Sequence, residues 1–400
     1  MKKKLNPLIA TRSIHGIKFG PRRGPVSMPI YQTSNFRFED SRDAIKYANG
    51  DDSVYIYTRY KNPTIEDTEQ KLAAIANCDN SILFASGMAA ITTTIHTFAN
   101  SGDEILALNS LYGGTYRYFR DHLNKMKIDV KYFSNSDLME LGNKISKKTK
   151  IIYFESPTNP TLSLVDIEVL INIVRIQEKK LKIKIITIID NTFGTFVNQN
   201  PLKLGVDIVV ESATKFLGGH SDLLAGVVFG NSKLISKIKL KSKYFGGTAD
   251  PFMAFLLGRS LSTFELRVER CNSNALKLAE ILSKNKKVEK VIYPFLNSHP
   301  DYAIAKKQMK AGGGVVTIVV KGGVKNAVKF VDSLNIAINA MSLGGVETLV
   351  SISVYSTHIN LTDEELNEHG VTGGMVRISV GVENIDDLIN DFNQSLKKLK

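Results

Sequence analysis

Short apolar runs closed by glycine or polar residues recur along the chain, with helically spaced stretches between them. Ser81 to Phe84, Glu104 to Leu108, Lys150 to Phe154, Lys184 to Ile189, Val206 to Val210 and Leu223 to Phe229 each predict a buried strand. Between them, Thr64 predicts a cap for a helix from Ile65 to Ala76, with Glu66 and Asp67 in its first turn. The small-residue turn Ala85-Ser86-Gly87-Met88 predicts a helix to Phe98, and Val165 to Gln177 predicts another. This alternation from about residue 64 onward predicts a parallel, doubly wound α/β sheet. Beyond Phe229 the pattern changes. Pro251 to Leu282 reads as long and helical, and Gly313 to Val320 and Met375 to Val380 read as strands. Asn384 to Leu399 predicts a terminal helix with Ile385, Leu388, Ile389, Phe392, Leu396 and Leu399 on one face. Residues 1–60 carry Gly16, Gly20, Pro21, Gly24, Pro25 and Pro29 without sustained periodicity, and predict an irregular arm. The expected organisation is an arm (1–60), a large α/β domain (61–250) and a smaller C-terminal domain (251–400).

The candidate chemistry gathers behind one of these strands. After Val206 to Val210 come Ser212, Thr214 and Lys215, then Gly218-Gly219. A lysine just past a buried strand sits near apolar surface, where the ammonium is disfavoured and the amine can act as a nucleophile. Hydroxyls two apart beside glycines suit a phosphate. Standing alone, Ser-x-Thr-Lys reads as an exposed loop. The preceding strand, however, ends in Asp190, twenty-five residues before Lys215. That spacing lets two successive strands deliver a carboxylate and an amine to one carboxyl edge, where open α/β sheets bind ligands. This set suits pyridoxal phosphate, with the lysine as its Schiff-base partner and the carboxylate keeping the pyridine nitrogen protonated. Ser86, Gly87 and Met88, at a strand-to-helix turn, add backbone N–H groups for an anion. No G-x-G-x-x-G follows a strand, which argues against a dinucleotide.

With these motifs in place the chain resembles, from about Thr11 to Asp387, the pyridoxal-phosphate enzymes of cysteine and methionine metabolism. These transsulfuration enzymes comprise cystathionine γ-synthase, cystathionine γ-lyase, cystathionine β-lyase and methionine γ-lyase. The resemblance implies an aspartate-aminotransferase-like fold type I. Its large domain carries a mainly parallel seven-stranded sheet, and its C-terminal domain is a smaller α+β unit. It also implies a homotetramer, a dimer of dimers with shared active sites, in which Tyr57 and Arg59 bind the cofactor phosphate of the neighbouring subunit. An arginine fork suits a phosphate dianion. Tyr112 matches the tyrosine that stacks on the ring and assists proton transfer, and Asn159 matches the residue bonded to the ring hydroxyl. Arg377 matches the clamp for the substrate α-carboxylate, with Ser342 of Ser342-Leu343-Gly344-Gly345 beside it on the substrate side. Arg117 matches an arginine that faces the distal end of cystathionine. Met341 stands where cystathionine γ-enzymes usually carry glutamate, and Gly114 where methionine γ-lyases usually carry cysteine. The implied activity is γ-elimination of L-cystathionine to cysteine, 2-oxobutyrate and ammonia, or the related γ-replacement. Methionine γ-lyase or O-acyl-homoserine sulfhydrylase activity is the alternative.

Composition changes little. Apolar residues at 43% and charged residues at 23% fit a folded globular chain of 400 residues. Two cysteines, Cys78 and Cys271, exclude a disulfide framework and a Cys-based metal cluster, and fit a reducing cytoplasm. No eighteen-residue apolar run is present, so no membrane span is expected. The net charge of +13 raises nucleic-acid binding as a different class. The lysines are spread along the chain with no accompanying motif, so no nucleic-acid partner is expected.

Overall fold

The computed structural model describes residues 7–16, 25–51, 53–356, 366 and 370–399. Of the punctuating residues of the arm, Gly20, Pro21 and Gly24 lie outside them. Seven strands form the first sheet: β1 (Asn80–Phe84), β2 (Glu104–Leu108), β3 (Asp129–Phe133), β4 (Thr149–Glu155), β5 (Ile186–Asp190), β6 (Ile208–Glu211) and β7 (Gly226–Gly230). Their order is β1-β7-β6-β5-β4-β2-β3. The pairs from β6 through β5, β4 and β2 to β3 are parallel, and β7 alone runs against its neighbours. Both faces of this sheet are covered, so its strands must be apolar throughout rather than alternating. Every residue of β2 and β7 is buried accordingly.

The second sheet has the order β10-β11-β12-β9-β8. It is built from β8 (Val288–Ile292), β9 (Val315–Val320), β10 (Ile338–Asn339), β11 (Leu349–Ile352) and β12 (Met375–Ser379). Only β10–β11 is parallel in it. The terminal helix Ile385–Lys397 is capped by Asn384, whose side chain accepts from the Asp386 N–H. It buries Leu388, Phe392 and Leu396 in the core of this sheet, each worth about 1.5–3 kcal/mol.

Several expected boundaries move. The helix expected from Ile65 spans Pro63–Ala76, because Asn62 is the cap and Pro63 takes the first helical position, where its missing N–H costs nothing. Thr64 instead fastens the arm, donating to Pro29 O and accepting from Tyr31 N, both at 2.9 Å. The arm itself contains helices Ile9–His15 and Ser41–Ala48, the latter with no buried residue and so no core-facing stripe to betray it. Read alone, the aromatic stretch Tyr55–Tyr60 suggests an edge strand, yet it makes only an isolated bridge between Asn35 and Tyr57. The long helical stretch is two helices, Pro251–Leu261 and Phe264–Leu282. The second of these is shared between cores. Phe264, Val268 and Cys271 belong to that of the first sheet, and Ala275, Leu278 and Leu282 to that of the second. No helix among the described residues is long and apolar enough to cross a membrane.

Candidate active site

A cleft of about 350 Å³ lies at the carboxyl edge of the first sheet and is closed by residues from the second. At one end the helix Gly87–Phe98 points its N-terminus into the cleft, capped by Ser86, whose Oγ accepts from the Ala89 N–H at 3.1 Å. The antiparallel β7 makes this end tight: a Cβ at Gly226 would run into the carbonyl of Ser86. A Cβ at Gly87 would stand 3.1 Å from the Ser212 Cβ. The cradle between helix terminus and Ser212 thus depends on missing side chains, and its exposed N–H groups fit a phosphate. Thr214 lines the same end, but its hydroxyl donates to Ala225 O (3.2 Å) and accepts from Ala225 N (3.0 Å). Its donor is therefore engaged within the loop.

The floor is acidic. Glu155, Asp190 and Glu211 end three adjacent parallel strands, Glu155 and Asp190 as register partners. Asp190 accepts from Thr192 N (2.9 Å), Glu155 from Tyr112 N (2.7 Å) and Glu211 from Asn191 Nδ2 (2.9 Å). None of the three has a lysine, arginine or histidine ion pair among the described residues. Burial raises all three above the ordinary carboxylate range. Thr192 pulls Asp190 back, while the charge of Asp190 pushes Glu155 and Glu211 further up. The hydrogen bonds from Thr192 favour the charged form of Asp190, while the charge of Asp190 disfavours that of the two glutamates. Such a floor, buried carboxyls without a cation among the described residues, fits a protonated pyridine nitrogen.

Lys215 stands opposite, its Nζ 3.0 Å from Ser342 Oγ. Burial and then the charge of Arg377 lower its pKa to about 8, which leaves a usable fraction of free amine near neutrality. Arg377 sits in mid-β12 and is buried. Its Nη1 donates to Asn159 Oδ1 (3.2 Å) and its Nη2 to Ser342 O (2.9 Å). Its Nε has no partner among the described residues, so a buried guanidinium N–H remains for a ligand. Arg377 binds the Asn159 oxygen, and the Asn159 amide N–H groups remain as donors for a ligand. After β2, Tyr112 is the N-terminal residue before the short helix Gly113–Tyr118 and Arg117 lies within that helix; Arg117 Nε donates to Gly113 O at 3.3 Å. Met341 and Leu224 form an apolar rim, 69% and 68% exposed.

Thirteen of the fifteen residues singled out in the sequence line this one cleft; Tyr57 and Arg59 do not. Arg59 donates to Lys243 O and lies 4.7 Å over the Tyr60 ring, while Tyr57 is exposed. The sequence reading passed over Glu155, Thr192, Glu211 and Leu224. The two glutamates had a usable signal, since each is the last residue of a buried run directly before a cleft loop.

A charge-neutral replacement tests the floor. A carboxyl whose pKa is raised in the folded state loses stability as pH climbs above its unfolded value of about 4.3. Glu211→Gln keeps an acceptor for Asn191 and is therefore expected to raise the melting temperature of cofactor-free protein. The gain should widen from pH 5 to pH 8 in a scanning-fluorimetry series. A gain independent of pH would mean that Glu211 is not held protonated.

The comparisons show the family and the fold. The model of the family described as Cys/Met metabolism PLP-dependent enzyme matches residues 10–397. The chain is 39% identical over 393 residues to L-methionine gamma-lyase of Fusobacterium nucleatum subsp. nucleatum, covering 98% of each. It is 40% identical over 393 residues to cystathionine beta-lyase of Lactococcus lactis subsp. cremoris, covering 98% of this chain and 99% of that one. It is 37% identical over 395 residues to cystathionine gamma-lyase of Dictyostelium discoideum, covering 98% of each. Among solved structures, the crystal structure of metB from Corynebacterium glutamicum superimposes with a TM-score of 0.89 at 34% identity, covering 97% of both chains. The fold is thus the expected α/β type I architecture and the cofactor is pyridoxal 5'-phosphate, because the chain belongs to the PLP-dependent enzymes of Cys/Met metabolism.

Proposed function

We propose that this lyase acts at the γ-carbon of sulfur amino acids, with γ-elimination of L-cystathionine as its main reaction. The observation that carries this reading is a second arginine in one cleft: Arg117 and Arg377 both line it. Arg377 serves an α-carboxylate, so a further cation suits a substrate with a second carboxylate, which cystathionine has and methionine lacks. The bound cofactor supplies an electron sink beside the α-carbon. In our reading the substrate amine frees Lys215, which takes the α-proton and then a β-proton so that the γ-thiol leaves carrying a proton, and then returns protons to the γ- and β-carbons, with Tyr112 assisting. Ser342 holds the Lys215 Nζ in place, Asn159 and Arg377 orient the carboxylate, and Asp190 anchors the ring nitrogen. Hydrolysis of the remaining four-carbon unit then gives 2-oxobutyrate and ammonia.

The apolar rim of Met341 and Leu224 favours a second reading, methionine γ-lyase activity, because it offers the distal amine of cystathionine no acceptor. Arg117→Ala separates the two. It is expected to lower kcat/KM for cystathionine about 10- to 100-fold, the loss of one charged hydrogen bond, while leaving methionine turnover unchanged. Keto-acid analysis is expected to find 2-oxobutyrate; pyruvate as main product would sink the γ-reading, and equal losses on both substrates would make Arg117 general scaffold. We also place the enzyme in the cytoplasm, on its two free cysteines, and read it as a tetramer whose dimers share sites. The off-cleft position of Tyr57 and Arg59 supports the shared sites. Cell fractionation and sedimentation check these two points.

A further inference from the structure

Arg267 is a buried arginine outside the cleft that lies against the loop carrying Lys215. It stands in the first-core half of the helix Phe264–Leu282, and none of its hydrogen-bond partners is charged. Its Nη1 donates to Phe216 O (2.9 Å), its Nη2 to Leu217 O (3.3 Å) and Ser260 O (3.0 Å), and its Nε to Thr263 Oγ1 (3.2 Å). No carboxylate pairs with it among the described residues. Phe216 and Leu217 directly follow Lys215 and are themselves fully buried, so their carbonyls have no water to turn to. The turn closes on itself through Lys215 N to Ser212 O (3.1 Å), Gly218 N to Ala213 O (2.8 Å) and Gly219 N to Lys215 O (2.7 Å), none of which engages the carbonyls of Phe216 and Leu217. Gly219 has a φ of +70°, and a Cβ there would collide with the Arg267 guanidinium. The guanidinium therefore lies close against the loop as well as bonding it.

We infer that Arg267 is a positioning residue for Lys215, setting the place of the amine by holding the carbonyls of Phe216 and Leu217. The inference rests on Lys215 being the cofactor lysine. An arginine suits the task because its rigid planar fork holds three spread carbonyls in fixed geometry, whereas a lysine ammonium is compact and sits on a flexible stem. Four neutral acceptors share its charge, so the guanidinium is solvated by the loop it holds. The same helix carries its second half into the core of the other sheet, from which Arg377 and Ser342 reach the cleft. Arg267 thus ties the lysine to the unit that brings the carboxylate clamp.

The test uses Arg267→Lys and, as a milder change that keeps the guanidinium, Thr263→Val. Cofactor-free protein is mixed with pyridoxal phosphate and cyanoborohydride, and label on Lys215 is followed by peptide mass spectrometry, normalised to folded protein by circular dichroism. Arg267→Lys is expected to slow labelling and kcat about 100-fold, the scale of a reacting group displaced by about 1 Å, with KM within about two-fold. Thr263→Val is expected to slow both about five-fold. Unlabelled Lys215 in wild-type protein would overturn the cofactor-lysine reading, and this inference with it. Normal wild-type labelling with unchanged rates in the folded variants would overturn the positioning role alone. So would losses that vanish on normalisation to folded protein, since a merely structural residue behaves that way. If Arg267→Lys does not fold, the Thr263→Val rates decide.

Discussion

Lys215→Ala is expected to abolish turnover, lowering kcat by about 10⁴-fold, the upper end of what a positioned acid–base group contributes. The residue has two tasks in the proposed sequence, linking the cofactor and moving protons, and no other amine lines the cleft among the described residues. The helix terminus at Ser86 and the hydroxyl of Ser212 remain, so the variant should still bind the cofactor noncovalently. Borohydride reduction followed by gel filtration makes the distinction. The wild type should retain cofactor under denaturation, and the variant should release it. A variant with kcat within ten-fold of wild type would show that the amine is not the catalytic group.

Mixing two inactive proteins is expected to restore activity. Arg59→Ala removes a charge-assisted phosphate bond worth about 1.5–3 kcal/mol, so at limiting cofactor its sites stand empty. If Tyr57 and Arg59 serve the neighbouring subunit, a mixed dimer with Lys215→Ala concentrates both defects in one site and leaves the other intact. Random reassociation makes about half the dimers mixed, so about a quarter of wild-type activity should return. In this chain Arg59 rests on Lys243 O and the Tyr60 ring, away from the cleft, which is the geometry the experiment addresses. Verified mixed dimers without recovered activity would mean that the arm works within its own chain.

Most of the cleft was legible in the sequence because the first sheet is covered on both faces. Its strands are then continuous apolar runs, and the polar residue that ends each run marks the ligand edge. Asp190 and Lys215 were found in this way. Strand β3 was not, since Asp129, Val130, Lys131, Tyr132 and Phe133 belong to a sheet edge with mixed burial. Strand β10 is fully exposed and two residues long, too little for any periodicity. The partnership of Glu155, Asp190 and Glu211 was hidden for another reason: lateral strand order, not sequence distance, puts three carboxyls side by side. Arg267 was hidden likewise, as a mid-helix arginine normally reads as solvated surface.

The segment after β4 is pinned to the second layer at several points. Leu164 N donates to Asp301 Oδ2 (2.8 Å), Thr317 Oγ1 to Pro160 O (2.6 Å) and Gln308 Nε2 to Val165 O (3.0 Å), while Lys307 pairs with Asp166 at 3.1 Å. The gap between the two layers is thereby a fixed gauge. Lys215 and Asp190 stand on one side of it, Arg377 on the other, and Asn159 lies on the pinned segment itself. With the roles proposed above, attachment points on both sides of such a gauge define a handed frame. The parts every amino acid shares would then be measured strictly, chirality at the α-carbon included, and tolerance left to the open rim where side chains differ.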